Sequence, residues 1–409
     1  MNIMLGINTL EVGGAQNFIL QLSKAFSEAG HKVFIFNLFN KSTNDSRIKK
    51  FLGAEFNKIK IISLYEPGQL YNFFLWKLSG ALSKFGIKQY HDKIIIKRQL
   101  KKFRLFLKKE KIDVVNTHLW EVSEFISKNS MIPHVITMHG SFEYFINNGI
   151  MDEWVEKIIE PEKIKRAEFV IKKSRHIIYI ADKNLEILNF FESKNILREK
   201  IYLGFPKKNI VKELKPSGND FIFGMIARGM ESKGWEIAIK AFIELKGKYD
   251  NCKLYLAYTD SEFMSTLKGE YQNINGLLFK GFVDEPEAFM NSIDSLLLPT
   301  WDDCLPLSII EALSNNVPVI STNVGEIPFM ISNEVKIAGI IVPLNTKSKT
   351  PDVDAFFKAM SSYLDGSGLY LTHKQNTGFV SKNFDMEICI NKYISFYKKA
   401  IAGIHTKTH

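Results

Sequence analysis

The stretch Leu298–Ser321, LPTWDDCLPLSIIEALSNNVPVIS, decides the fold. An apolar run from Ser295 to Pro299 leads into it and reads as a buried strand. A polar loop follows, then a helix expected from about Pro306, and a second apolar strand after Pro318. Asp303 falls in the loop, and Glu311 comes eight positions later, about one and a half turns into the helix. Both carboxylates can therefore face a ligand at the helix N-terminus, where first-turn amides accept an anion. Carboxylates beside such a site take hydrogen bonds from hydroxyls, so the arrangement suits a polyhydroxy phosphate ester.

Outward from this stretch the alternation of strand and helix continues in both directions. Towards the N-terminus, Phe221–Ala227 is an apolar strand whose end carries Arg228, and Lys233 follows five positions later at the expected start of a helix running to about Leu245. Two cations there converge where a diphosphate would lie; each is worth about 4 kcal/mol at roughly 4 Å and an effective dielectric near 20. Further strands are expected at Lys253–Tyr258, Leu277–Gly281, Val317–Ser321 and Gly339–Val342, with helices at Val353–Tyr363 and Met386–Ala400.

The first half repeats the plan. Ile3–Asn8 is a strand, Gly13-Gly14 precedes a helix over Ala15–Ala29, and Lys32–Phe39 is the next strand. The two glycines lack GxGxxG spacing and by themselves equally suit a tight turn. Ile112–Asn116 delivers His118 to a strand end, and Met131–Met138 delivers His139. A helix over Asp152–Lys173, a strand at His176–Ile180, a helix at Asp182–Phe191 and a strand ending at Ile201–Gly204 complete this half. Phe205–Asn219, rich in Lys, Pro, Ser and Gly, is the linker.

The 409 residues call for two domains, and 45% hydrophobic residues suffice for their cores. Cys252, Cys304 and Cys389 show no ligand spacing, which points to a reducing compartment without disulfides or structural zinc. No apolar run approaches the roughly 20 residues of a membrane span, and the opening reads as a buried strand, so a cytoplasmic protein is expected. The net charge of +10 is concentrated between Lys77 and Lys111, where only Asp92 and Glu110 oppose the cations. With Tyr71, Phe73, Phe74 and Trp76 ahead of it, this segment is expected to rest on an anionic membrane surface. Its structural alternative is a solvated helix face with the aromatics in the core. Nothing around it forms a nucleic-acid module, so nucleic acid is the weakest partner.

The central stretch resembles the acidic-x7-Glu signature of the family-four retaining glycosyltransferases, glycosyl transferases group 1, including its run Glu311-Ala312-Leu313-Ser314 ahead of Pro318-Val319. It departs from that pattern in having Asp303 for the first acid, followed by Cys304-Leu305-Pro306 in place of a small, glycine-rich turn. Arg228 and Lys233 match the family's Arg-x4-Lys-Gly, and Gly13-Gly14 resembles its donor-phosphate loop. His118 is similar to its sugar-contacting histidine, and His139 to a second histidine of the same cleft. Gly281-Phe282-Val283 resembles the segment that meets the nucleobase. The resemblance implies a GT-B fold: two Rossmann-like doubly wound domains facing across a cleft, residues 1–205 with the terminal helix 386–402 on the acceptor side, and 206–385 binding the nucleotide sugar.

It also implies sugar transfer with retention from a nucleotide diphosphate sugar, a UDP-sugar in preference to a GDP-sugar, to a hydroxyl of a glycan or lipid-linked acceptor. The pathway implied is bacterial capsule, lipopolysaccharide or other surface polysaccharide synthesis. Arg228 and Lys233 would stabilise the leaving diphosphate, with the first-turn amides of Leu307 and Ser308. Glu311 would hold the ribose, and Asp303 and His118 hydroxyls of the donor sugar. No cofactor and no metal are called for, since the two cations and the helix dipole would take a metal's place. An epimerase or hydrolase on the same fold, or a glycan-binding protein without activity, are the other classes.

Overall fold

The computed structural model describes residues 1–11, 13–39, 45–63, 100–140, 161–191, 196–206 and 220–405. They form two compact units. The first comprises Met1–Tyr179, Asn184–Ile201 and Ile390 onwards, and the second Ile180–Lys183 and Tyr202–Cys389.

The first unit is built on a seven-stranded sheet: β1 (Asn2–Ile7), β2 (Lys32–Asn37), β3 (Lys60–Ser63), β4 (Val114–Thr117), β5 (His134–Met138), β6 (His176–Tyr179) and β7 (Leu197–Lys200), in spatial order 3-2-1-4-5-6-7. Every pairing is parallel. The central strands are buried almost end to end, as expected where helices cover both faces. On one face Met4, Phe34, Phe36 and Val115 pack with Val122 and Ile126 of the helix Trp120–Asn129. The helix Gly14–Glu28 packs through Phe18 and Phe26 on Tyr393 and Tyr397 of the terminal helix. That helix, Met386–His405, begins in the second unit and belongs to the first from Ile390 onwards.

The second unit holds a six-stranded parallel sheet: β8 (Phe221–Ala227), β9 (Cys252–Tyr258), β10 (Leu277–Gly281), β11 (Ser295–Leu298), β12 (Val319–Thr322) and β13 (Gly339–Val342), in order 10-9-8-11-12-13. Both sheets reverse direction of growth once, between β1 and β4 in the first and between β8 and β11 in the second. In open α/β sheets the loops at the carboxyl ends of strands flanking such a reversal splay apart and leave room for a ligand.

Several expectations need correction. The strand expected to end at Ile201–Gly204 stops at Lys200, and residues 201–204 are irregular. Ile201 and Leu203 are buried and mimic a strand, whereas the true edge strand is largely exposed and leaves no apolar pattern. Lys233 does not start a helix; it closes a 3-10 turn, Glu231–Lys233, and the helix is Trp235–Lys246. The two compact units divide after Ile201 and after Cys389. There Phe205 donates its amide to the Phe384 carbonyl (2.7 Å) and accepts the Met386 amide (3.1 Å), so 202–206 is stitched to 384–386 within the second unit. Most of the linker (207–219), the aromatic cluster from Tyr71 and the basic segment as far as residue 99 lie outside the described residues, as does the expected helix start at Asp152. The described end of the basic segment, a helix over 100–109, buries Phe103 and Leu107 in the core.

Candidate active site

In the second unit the loops after β8 and β11 are laced together. Arg228, at the end of β8, is exposed, and its carbonyl takes the Trp235 indole N–H at 3.0 Å. The Ser232 carbonyl accepts both the Thr300 hydroxyl (3.0 Å) and the Trp301 amide (3.1 Å). Gly234 then turns the chain into the helix with φ 78°, and a Cβ at this position would overlap the Pro299 carbonyl. Left-handed backbone pressed against a strand end leaves glycine as the residue that fits. The consequence is the position of Lys233, only 6% exposed. Its Nζ donates to Asp303 Oδ2 at 2.7 Å and to the Asp302 carbonyl at 3.1 Å. The two cations expected to act together are thus in different states: Lys233 is paired with a carboxylate, and Arg228 has no ion pair among the described residues.

The helix Leu307–Ser314 follows, with Pro306 at its N-cap and no side chain bonded to its first amides. Leu307 and Ser308 therefore present N–H groups of the kind that bind anions. Glu311 lies one turn further on and is half-buried. Gly281 ends β10 at φ 66°, beyond a register shift, followed by Phe282, which is exposed, and half-buried Val283. This segment is separated from β8 by β9.

One acid escaped the sequence. Glu326 is 8% exposed and accepts the Asp182 amide (2.8 Å) and the Tyr202 hydroxyl (3.0 Å), while its own amide donates to the Cys304 carbonyl (2.9 Å). The preceding Gly325, at φ 54°, allows this approach, because a Cβ there would strike the Asp303 and Cys304 carbonyls. The available signal was Gly325-Glu326 just ahead of Pro328, a turn followed by a helix start.

In the first unit, Gly13 is extended and precedes the helix Gly14–Glu28, which has no side-chain cap. Asn8, at the end of β1, accepts the Val122 amide (3.0 Å) and donates to Glu121. His118 follows β4 and His139 follows β5, and the sheet brings them together: Nδ1 of His118 lies 2.7 Å from Nε2 of His139. Phe18 packs against both rings, with centroids 6.0 and 5.8 Å away. Burial holds His118 well below the usual histidine range, reinforced by the repulsion its protonated form would meet from a protonated His139, and burial lowers His139 to about 4. Both imidazoles are neutral at pH 7. Among the described residues no group of three or more His, Cys, Asp or Glu is placed to hold a metal ion, and no helix is long and apolar enough to cross a membrane.

Two parallel sheets, each with polar residues at strand ends near its reversal, define an α/β protein of two units. Comparison with known proteins narrows the class. The model for Glycosyl transferases group 1 matches residues 206–377, and that for Glycosyltransferase Family 4 matches 12–188. The chain is 28% identical over 237 residues to the capsular polysaccharide biosynthesis glycosyltransferase CapH of Staphylococcus aureus, covering 55% of this chain and 63% of that one. It is 25% identical over 317 residues to the UDP-Gal:alpha-D-GlcNAc-diphosphoundecaprenol alpha-1,3-galactosyltransferase of Escherichia coli, covering 71% and 76%. Similar solved structures include sucrose-phosphate synthase of Thermosynechococcus elongatus (TM-score 0.69, 16% identity, 98% and 100% of the chains). Another is HepE of Anabaena in complex with UDP (TM-score 0.67, 14% identity, 99% and 100%). The chain belongs to the glycosyl transferases of group 1, and its two α/β domains have the GT-B fold.

Proposed function

We propose that this chain is a retaining glycosyltransferase that moves a sugar from a nucleoside diphosphate sugar to a hydroxyl of a glycan or lipid-linked acceptor in bacterial surface polysaccharide synthesis. The observation that carries the proposal is the Lys233–Asp303 pair across the β8–β11 reversal, beside the uncapped helix at Leu307. The names of two relatives, a capsular enzyme and one using UDP-Gal with a diphosphoundecaprenol-linked acceptor, support the pathway and favour a uridine donor over a guanosine one.

Donor binding places the diphosphate against Arg228, Lys233 and the amides of Leu307 and Ser308. These groups stabilise the charge that develops on the leaving oxygen. That oxygen helps to take the proton of the acceptor hydroxyl, which enters from the same face. Glu311 accepts from the ribose hydroxyls, and His118 from a sugar hydroxyl. Asp303 has two parts in this scheme: it balances Lys233 in the empty protein, and it turns to a sugar hydroxyl as the phosphate takes over the lysine. The four positive elements perform the role a divalent metal would otherwise have. Lysines of the segment ahead of residue 100 hold the enzyme on the anionic, cytoplasmic face of the membrane.

A panel of nucleoside diphosphates and nucleotide sugars in thermal unfolding identifies the donor, since stabilisation rises with ligand concentration over its Kd. UDP and one UDP-sugar are expected to shift the midpoint most. Asp303→Asn is expected to tighten UDP about tenfold, by removing the competing carboxylate, while lowering transfer. Glu311→Gln should lower both binding and transfer. Full-speed consumption of donor without acceptor would replace the transferase by a hydrolase or epimerase, and no shift with any nucleotide would end the proposal.

A further inference from the structure

The histidine pair holds one more element of the site. His118 is 2% exposed, and its Nε2 is fully buried without a hydrogen-bond partner among the described residues, while its Nδ1 is engaged by His139. Two neutral imidazoles carry two ring protons, and one of them lies in the bond between the rings. The other sits either on His118 Nε2 or on His139 Nδ1, so the direction of the central hydrogen bond determines what His118 offers. If His139 donates, His118 carries a buried N–H with no acceptor among the described residues, and orphaned buried N–H groups are rarer than under-satisfied acceptors. If His118 donates, the buried atom is a bare lone pair, and the second proton moves to Nδ1 of His139, whose half-buried ring leaves that nitrogen within reach of water.

We propose that His139 is a positioning residue: its Nε2 accepts from His118 Nδ1 and thereby presents His118 Nε2 as a hydrogen-bond acceptor for a ligand hydroxyl. Phe18, wholly buried and set against both rings, keeps the two imidazoles in register. The inference rests on the transferase reading only for the identity of the hydroxyl, a hydroxyl of the donor sugar; the tautomer follows from the pair alone. Burial keeps both rings unprotonated at neutral pH, so the arrangement persists in the working enzyme.

Nitrogen NMR of the full-length protein with 15N-labelled histidine reads the tautomer without any substrate. The nine histidines are separated by comparison with the His118→Gln and His139→Gln spectra. Wild-type His118 is expected to show a protonated Nδ1 and an unprotonated Nε2 at pH 7.5. In His139→Phe, which keeps a flat ring but removes the acceptor, His118 is expected to become a mixture of tautomers, and transfer to fall about tenfold, the equivalent of one hydrogen bond. His139→Gln, whose side-chain oxygen reaches the position of Nε2, is expected to restore the single tautomer and most of the rate. A wild-type His118 protonated at Nε2 overturns the inference, as does a single Nδ1–H tautomer that survives in His139→Phe. If nucleotide sugars are not turned over at all while the tautomer is as expected, the transferase reading has failed and the positioning role stands.

Discussion

The Lys233–Asp303 pair and the His118–His139 pair each join the ends of two neighbouring strands, the first across the β8–β11 reversal and the second on β4 and β5 beside the β1–β4 reversal, yet one is ionic and the other neutral. Exposure accounts for part of the difference. Asp303 keeps 19% of its side-chain surface in contact with solvent, which lessens the desolvation of the pair, whereas His118 is almost fully buried, which disfavours its charged form. The remainder is chemical. A paired lysine can exchange its carboxylate for a phosphate at little electrostatic cost. A neutral imidazole suits a hydroxyl, which needs direction rather than charge.

The largest effect is expected from breaking the ionic pair. Lys233→Ala leaves Asp303 with no cation among the described residues and, in the proposed mechanism, deletes the main charge facing the leaving group. Stability should fall by about 3 kcal/mol, in the range measured when one partner of a buried pair is removed. Transfer should fall by about a thousandfold, as when an oxyanion-stabilising donor is lost. Urea unfolding and steady-state kinetics check the two parts. Loss of activity without loss of stability would show that the pair is not held tightly in the empty protein, and that Asp303 is already free to serve the sugar.

Acid acts on the neutral pair instead. His134 lies deeper in the same unit, between the hydroxyls of Thr117 (2.8 Å) and Ser127 (3.3 Å), and burial lowers it to about 3, as it lowers His139 to about 4. Both values lie below the unfolded value of about 6.5, so the unfolded chain takes up protons first. Stability from these groups is complete above about pH 6.5 and is lost as the pH falls towards 4, amounting to roughly 2 kcal/mol each by pH 5. Amide hydrogen exchange in β4 and β5 should accelerate across this window. The second unit has one described imidazole lowered by burial, His373, and should respond less. Equal acceleration in both sheets would break the contrast.

The sequence makes one pair legible and hides the other. His118 and His139 end consecutive strands of the first half, and β4 and β5 are neighbours, so local order suffices. Lys233 and Asp303 are seventy positions apart and meet because the sheet grows from β8 to β10 and then reverses to place β11 on the other side of β8. That reversal is a property of the whole sheet and leaves no mark at either residue. Glu326 was hidden for another reason: its partners are a backbone amide and a distant tyrosine, which form no spacing. The strands around Leu298 were legible because a parallel sheet buries them completely, and β7 was misplaced because an edge strand does not.

The smallest effect is expected where the neutral network of the first unit has a spare donor. Tyr397, wholly buried, donates its hydroxyl to Asn116 Oδ1 at 2.8 Å, and the same oxygen receives the Thr137 hydroxyl at 3.3 Å. The Asn116 amide nitrogen donates to the Val135 carbonyl (3.2 Å) and to Thr137 (3.0 Å), so the side chain is held from both ends. Tyr397→Phe removes one hydrogen bond but leaves the acceptor another, and it preserves the ring packing on Phe26 and Tyr393. The expected cost is about 1 kcal/mol, well below that of Lys233→Ala, because no charge is left uncompensated. Urea unfolding of the two variants side by side measures the ratio. A cost as large as that of the lysine variant would mean that the buried neutral network of the first unit is as intolerant of a missing partner as the ion pair of the second, and the distinction between the two pairs would then lie in ligand chemistry alone.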